Sequence, residues 1–155
     1  MRDRRFVREH RGGILTLEQH QQLIRWACNC AKHILPLFGE KIDKRLINAL
    51  IVAKEWENGH ALVKDARSAS VDAHVVARES SNPISIAIAR SIGHAVATAH
   101  MADHSLGAAL YALKAVKNAG KSIEAEREWQ NKQLSPRIKE LILSTRSTKE
   151  KYLKL

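Results

Sequence analysis

Between Ser85 and Ala119 the chain reads SIAIARSIGHAVATAHMADHSLGAALYALKAVKNA, a stretch dense in alanine and poor in charge. Ile84, Ile88, Ile92 and Val96 recur every four residues, which puts bulky side chains on one helical stripe. Ser85, Ala89, Gly93 and Ala97 run beside them as a stripe of small groups. Small residues at that spacing let a second helix approach closely, with ridges four residues apart interdigitating. The second half repeats the pattern: Leu106, Leu110 and Leu113 are bulky, and Ala108, Ala112, Ala115 and Ala119 are small. A helix so short of charge is normally buried on most sides. Two packed helices, joined at a histidine-bearing corner, are therefore expected at the centre of the fold. Arg90, His94, His100, Asp103 and His104 interrupt the run, so it offers no uncharged segment of the ~20 residues that a membrane span needs.

The rest of the chain reads as helices that wrap this centre. Thr16 and Gln19 fit a capping box opening a first helix, with Leu23, Ala27, Cys30 and Ile34 facing inward and Pro36 and Gly39 closing it. A second helix is expected from Ile42 to Glu57, with Leu46, Ala49, Leu50, Ala53 and Trp56 inward and Gly59 as its stop. A third spans Ala61 to Ser80 on a narrow stripe of Leu62, Ala66, Ala69, Ala73 and Ala77. Asn82 and Pro83 suit the start of the fourth, and Gly120 ends the fifth. Ser122 caps a sixth, anchored by Trp129 and Leu134. Pro136 starts a seventh, with Ile138, Leu141 and Ile142 inward, and its pattern fades after Ser144. No segment alternates like a strand. The expectation is an all-α fold: a single compact domain of six or seven helices with short connections, at residues 16–144. A basic arm (1–15) precedes it, hinged at Gly12-Gly13 and pinned by Phe6, Val7, Ile14 and Leu15, and a basic tail (145–155) follows it.

The formal charge of +10 is concentrated at the ends. Residues 1–11 carry a net +3 and residues 135–155 a net +4. Basic ends can contact nucleic acid or an acidic partner. No aromatic residues are interleaved as a base-stacking platform would require, which disfavours nucleic acid and leaves solvated ends as the simpler reading. The charged start MRDRRFVREHR is followed by no apolar run, so no secretory leader is expected. The two cysteines, Cys28 and Cys30, are too few for a disulfide scaffold and suit a reducing cytoplasm.

The candidate chemistry gathers at the central corner, at His94, His100, Asp103 and His104. On one continuous helix His100 and His104 would share a face and could hold a metal, with Asp103 as third ligand or orienter. If Asp103 or Ser105 instead caps a new helix, that geometry breaks, and histidines bonding across a helix junction explain the same residues. No cofactor is expected; zinc or iron would be the ion if the corner held one. The third helix places Arg67, His74 and Arg78 on one side, a set that could hold an anion or an acidic partner, or simply form a solvated face. Cys30 and His33 lie close in sequence, but a thiol nucleophile would also need an exposed site and an oxyanion hole, and buried cysteine is the better reading. Ala115–Ser122 ends in Gly-Lys-Ser but lacks the first glycine and the preceding strand of a phosphate loop. There is no paired-carboxylate, zinc-protease or nucleophile-elbow motif, so catalysis is not the leading expectation.

The segments RWACNCAKHILPLF, Asp72-Ala73-His74, GHAVATAHMADHSLGAALYALKAV and Glu126–Gln130 (EREWQ) together resemble bacterial immunity proteins of the type-five-like group, over residues 16–134. The His-x-x-x-His corner followed by Gly-Ala-Ala-x-Tyr-Ala carries the resemblance most specifically. It implies a small, helical, cytoplasmic protein that binds and neutralises a cognate toxin of a polymorphic-toxin system. Arg67, His74, Arg78, His94, His100, Asp103 and His104 are the binding residues expected on that reading. The alternatives are a metal- or small-ligand-binding helical protein using His100, Asp103 and His104, and a nucleic-acid binder using both basic ends. The small-residue helices could also close a homodimer.

Overall fold

The computed structural model describes residues 2–153 and 155, so Met1 of the expected arm and Lys154 of the expected tail lie outside the described residues. Among the described residues there are seven α-helices and no strand. They are α1 (Leu17–His33), α2 (Lys44–Glu57), α3 (Val63–Glu79), α4 (Pro83–Ala97), α5 (His104–Asn118), α6 (Ile123–Lys132) and α7 (Pro136–Glu150). No helix is long and apolar enough to cross a membrane.

The helix ends follow from local chemistry. The Gln19 backbone N–H donates to Thr16 Oγ1 at 3.1 Å while the Thr16 N–H donates to Gln19 Oε1 at 2.9 Å, closing the capping box of α1. Asp43, Asn82 and Ser122 cap α2, α4 and α6 with their side-chain oxygens. Gly59 and Gly120 take positive φ (80° and 72°) just beyond α2 and α5, a conformation that lets the helix end turn away.

The alanine-rich centre packs as the pattern dictates. α4 lies against α5, α3, α1 and α2, and α5 is its most extensive neighbour. Ile88, Ile92 and Val96 are wholly buried, and so are Ala89 and Gly93 on the small stripe. Close approach also satisfies polar groups: Ser91 Oγ donates to the Ala108 carbonyl at 2.7 Å and Ser70 Oγ to the Gly93 carbonyl at 2.9 Å. On α3, Ala66, Ala69, Ala73 and Ala77 face inward as expected, but Leu62 is 61% exposed because the helix starts one residue later and Leu62 precedes its first turn.

Both ends are more ordered than their composition suggests. Phe6 and Leu15 are buried in a second apolar cluster with Leu23, Trp26, Leu106 and Ile138, whereas Ile14 is 59% exposed. The Leu15 N–H donates to the Val7 carbonyl at 2.9 Å, and the Arg5 guanidinium donates to Ser144 and Thr145 on α7. α7 itself continues to Glu150, past the expected fading at Ser144. The reason is a polar anchor. Arg146 is buried, donating to Gln130 Oε1, to Asn131 Oδ1 at 2.8 Å and to Glu150 Oε1 at 3.2 Å, with its guanidinium 5.9 Å from the Trp26 ring centroid. Gln130 in turn donates to the Ala109 carbonyl at 3.0 Å, tying α6 and α7 to α5. A polar side chain fixed this way does not show as an apolar stripe. Arg146→Gln should lower stability by about 2 kcal/mol, read as a shifted urea midpoint; an unchanged midpoint would mean the network contributes nothing.

Candidate functional site

Three helices bring histidines to one place. His74 projects from α3, His94 from α4 and His104 from the first turn of α5. His94 Nδ1 lies 3.0 Å from His104 Nδ1, a hydrogen bond in which one ring donates and the other accepts. The His74 and His94 rings meet edge to face with centroids 5.3 Å apart, and His94 stacks on Tyr111 at 5.2 Å. Arg90, one helical turn before His94, donates from Nη1 to His74 Nδ1 at 2.8 Å. A guanidinium can only donate, so His74 must present an unprotonated Nδ1 and carry its proton on Nε2.

Two glycines make this nesting feasible. A Cβ at Gly93 would lie 2.7 Å from the tip of the His74 ring, and one at Gly107 would lie 2.6 Å from His94 Nδ1. Each imidazole therefore sits on the bare backbone of the next helix: His74 over α4, and His94 over α5. Here the small-residue stripe both brings helices together and provides seats for ring side chains.

The electrostatics keep these rings neutral. Burial, with Arg90, His104 and Arg78 as further causes, lowers His74 to about 4. Burial together with His104, His74 and Arg90 lowers His94 to about 3. His104 is also shifted down by burial, with Asp103 opposing. A groove of about 380 Å³ opens beside the pair, bounded by His94, Asp103, His104 and Tyr111 and, on its far side, by Tyr152 and Leu153.

The other expected residues lie around this nest. His100 is exposed, its ring centroid 6.4 Å from His104, and burial and Arg67 lower its pKa. The chain turns between Ala97 and His104, so His100 and His104 do not share a continuous helix, and His104 faces His94 instead. Asp103 precedes α5 without a side-chain capping bond; its carboxylate accepts from Arg2 at 3.2 Å. Ser105 does not cap either, donating back to the Ala102 carbonyl at 2.7 Å. Arg67 and Arg78 stand exposed on α3. Among the described residues no three His, Cys, Asp or Glu side chains converge as a metal site would require.

Arg90, Gly93, Gly107 and Tyr111 are not among the expected binding residues, although Gly93 belongs to the small-residue stripe and Gly107 and Tyr111 to the Gly-Ala-Ala-x-Tyr-Ala motif. Their signal was present: Gly93 falls beside His94 and Gly107 three residues after His104, each a small residue next to a ring. Away from the nest, burial raises the Cys28 thiol to about 12 and also raises Cys30. Neither thiol is therefore poised as a nucleophile. His33 stacks on Trp129 at 3.5 Å and pairs with Glu126 at 2.7 Å, which accounts for that histidine as a link between α1 and α6.

A family model described as "Imm-5 like putative immunity protein" matches residues 13–137. No curated protein and no solved structure matches the chain.

Proposed function

Because the chain belongs to the Imm-5 like putative immunity protein family, we propose that it neutralises a cognate toxin by binding it. The observation that carries this reading is the family match, which spans most of the helical domain. The site supports association rather than turnover: its imidazoles bond to one another and to Arg90, and the thiols are buried. The histidine nest stiffens the corner where α3, α4 and α5 meet. Arg67, Arg78 and His100 stand exposed around that corner, with Asp103 and the His94–His104 groove beside them, as the polar contact zone for the toxin. Arg67 and Arg78 are exposed in this zone, which suits an acidic toxin face; opposite fields speed association and set register.

The test is growth rescue. Where a secreted protein is encoded beside this gene, its C-terminal domain is expressed in a susceptible host, with and without this chain. Growth should be restored only when the two are co-expressed, and rescue should weaken in an Arg67→Glu, Arg78→Glu variant. Growth arrest that persists in the presence of the soluble chain would reject the reading.

A further inference from the structure

α2 is apolar on two faces. Leu46, Ala49 and Ala53 are buried against the core. Ile47 and Ile51, on the outer side, are 45% and 51% exposed, although the core does not need them. Together with Leu35, Ile42 and Leu50 they line a groove of about 540 Å³, within the size range of pockets that seat ligand groups. Scattered surface isoleucines need no explanation; here they are gathered into one trough, in which α2 is joined by Leu35 and Ile42 from the segment before it.

Charge narrows what fits there. Lys32 from α1 and Lys54 from α2 border the groove and are exposed. Neither forms an ion pair among the described residues. Their neighbours do: Arg25 pairs with Glu57 at 2.6 Å, and Arg45 with Asp43 and Glu79 at 2.9 and 2.7 Å. Glu55 is the one acid on the rim. A second copy of the chain would bring the same two lysines to the seam, so self-association is electrostatically opposed. We propose that the outer face of α2 takes an acid-flanked apolar segment of the toxin, with large apolar side chains filling the Ile47–Ile51 trough and carboxylates meeting Lys32 and Lys54. This is helix-in-groove recognition, in which apolar anchors give affinity and rim charges give orientation. It rests on the toxin-binding reading and names the surface that supplies the apolar anchor.

The test measures affinity for the purified C-terminal domain of the adjacent secreted protein. An Ile47→Asp, Ile51→Asp variant should lose at least 100-fold in affinity, while Val71→Asp, an exposed apolar residue on α3, should change it less than threefold. Lys32→Glu, Lys54→Glu leaves the trough intact; it should weaken binding about tenfold and flatten its salt dependence. That pair decides the matter if the aspartate variant fails to fold. Undiminished binding in both double variants overturns the surface while leaving toxin binding in place. Absence of binding by the unmutated chain overturns the parent reading. Concentration-dependent dimerisation that Ile51→Asp abolishes would assign the trough to a second copy and also overturn the proposal.

Discussion

Gly107→Ala should destabilise the protein by roughly 2–3 kcal/mol, the reverse of the usual gain of about 1 kcal/mol when alanine replaces glycine inside a helix. The new methyl would lie 2.6 Å from His94 Nδ1 and 2.8 Å from its Cγ. Cγ is the root of the ring, so no rotation about the ring bond clears the clash. Tyr111 stacks against His94, and His104 holds its Nδ1. The ring therefore has no free direction in which to retreat. Gly93→Ala meets the tip of His74, which has more freedom to give, and should cost less. Removing the ring should relieve the strain: the Gly107→Ala, His94→Ala double variant should be more stable than the sum of the two single effects by about 2 kcal/mol. Chemical denaturation of the four proteins supplies the cycle. An increase in stability for Gly107→Ala alone would mean that the seat is not occupied.

Acid should destabilise this protein before its carboxylates titrate. His20, His74 and His94 are lowered to about 4, 4 and 3 by burial, against 6.5 unfolded. His20 Nε2–H donates to the Thr98 carbonyl at 2.6 Å, and its buried Nδ1 has no partner among the described residues. A proton placed there would be buried with no acceptor, close to the cations of Arg8 and Arg2. His74 cannot accept a proton at Nδ1 without losing the Arg90 bond. A native state that binds fewer protons than the unfolded chain loses stability as pH falls. The contribution is full above pH 6.5 and drains between there and about 4 for His20 and His74 and about 3 for His94. At pH 5 the loss from His20 is about 2 kcal/mol. His74 and His94 add less apiece because solvent screens them in part, for a total of about 4 kcal/mol. Urea midpoints between pH 7.5 and 4.5 measure this directly. A flat profile down to pH 5 would show that these rings are free to charge in the folded state.

Much of the fold was legible because its determinants are local or periodic. The four-residue stripes of α4 and α5, the Thr16 box, the Asn82-Pro83 start and the glycine stops all act within a turn or two of chain. What was missed depends on contacts across helices. The end of α7 is held by Arg146, a charge that reads as surface until Gln130, Asn131 and Glu150 are seen around it. At the corner, the spacing left two readings open, a face shared by His100 and His104 or histidines bonding across a helix junction. The chain turns there, and the true partner of His104 is His94, on the preceding helix. Ile47 and Ile51 sit one residue after Leu46 and Leu50, and nothing in that spacing sets them apart from the core stripe of α2. Only the packing shows that the core stops short of them.

The most direct test of toxin neutralisation by binding is stoichiometry. A fixed amount of the purified toxin domain is titrated with this chain while residual toxin activity is followed. A binding protein should abolish activity along a line that ends at one chain per toxin, in parallel with formation of a stable complex. Full protection at a small fraction of that ratio would mean that the chain destroys or modifies its target catalytically, and would contradict neutralisation by association.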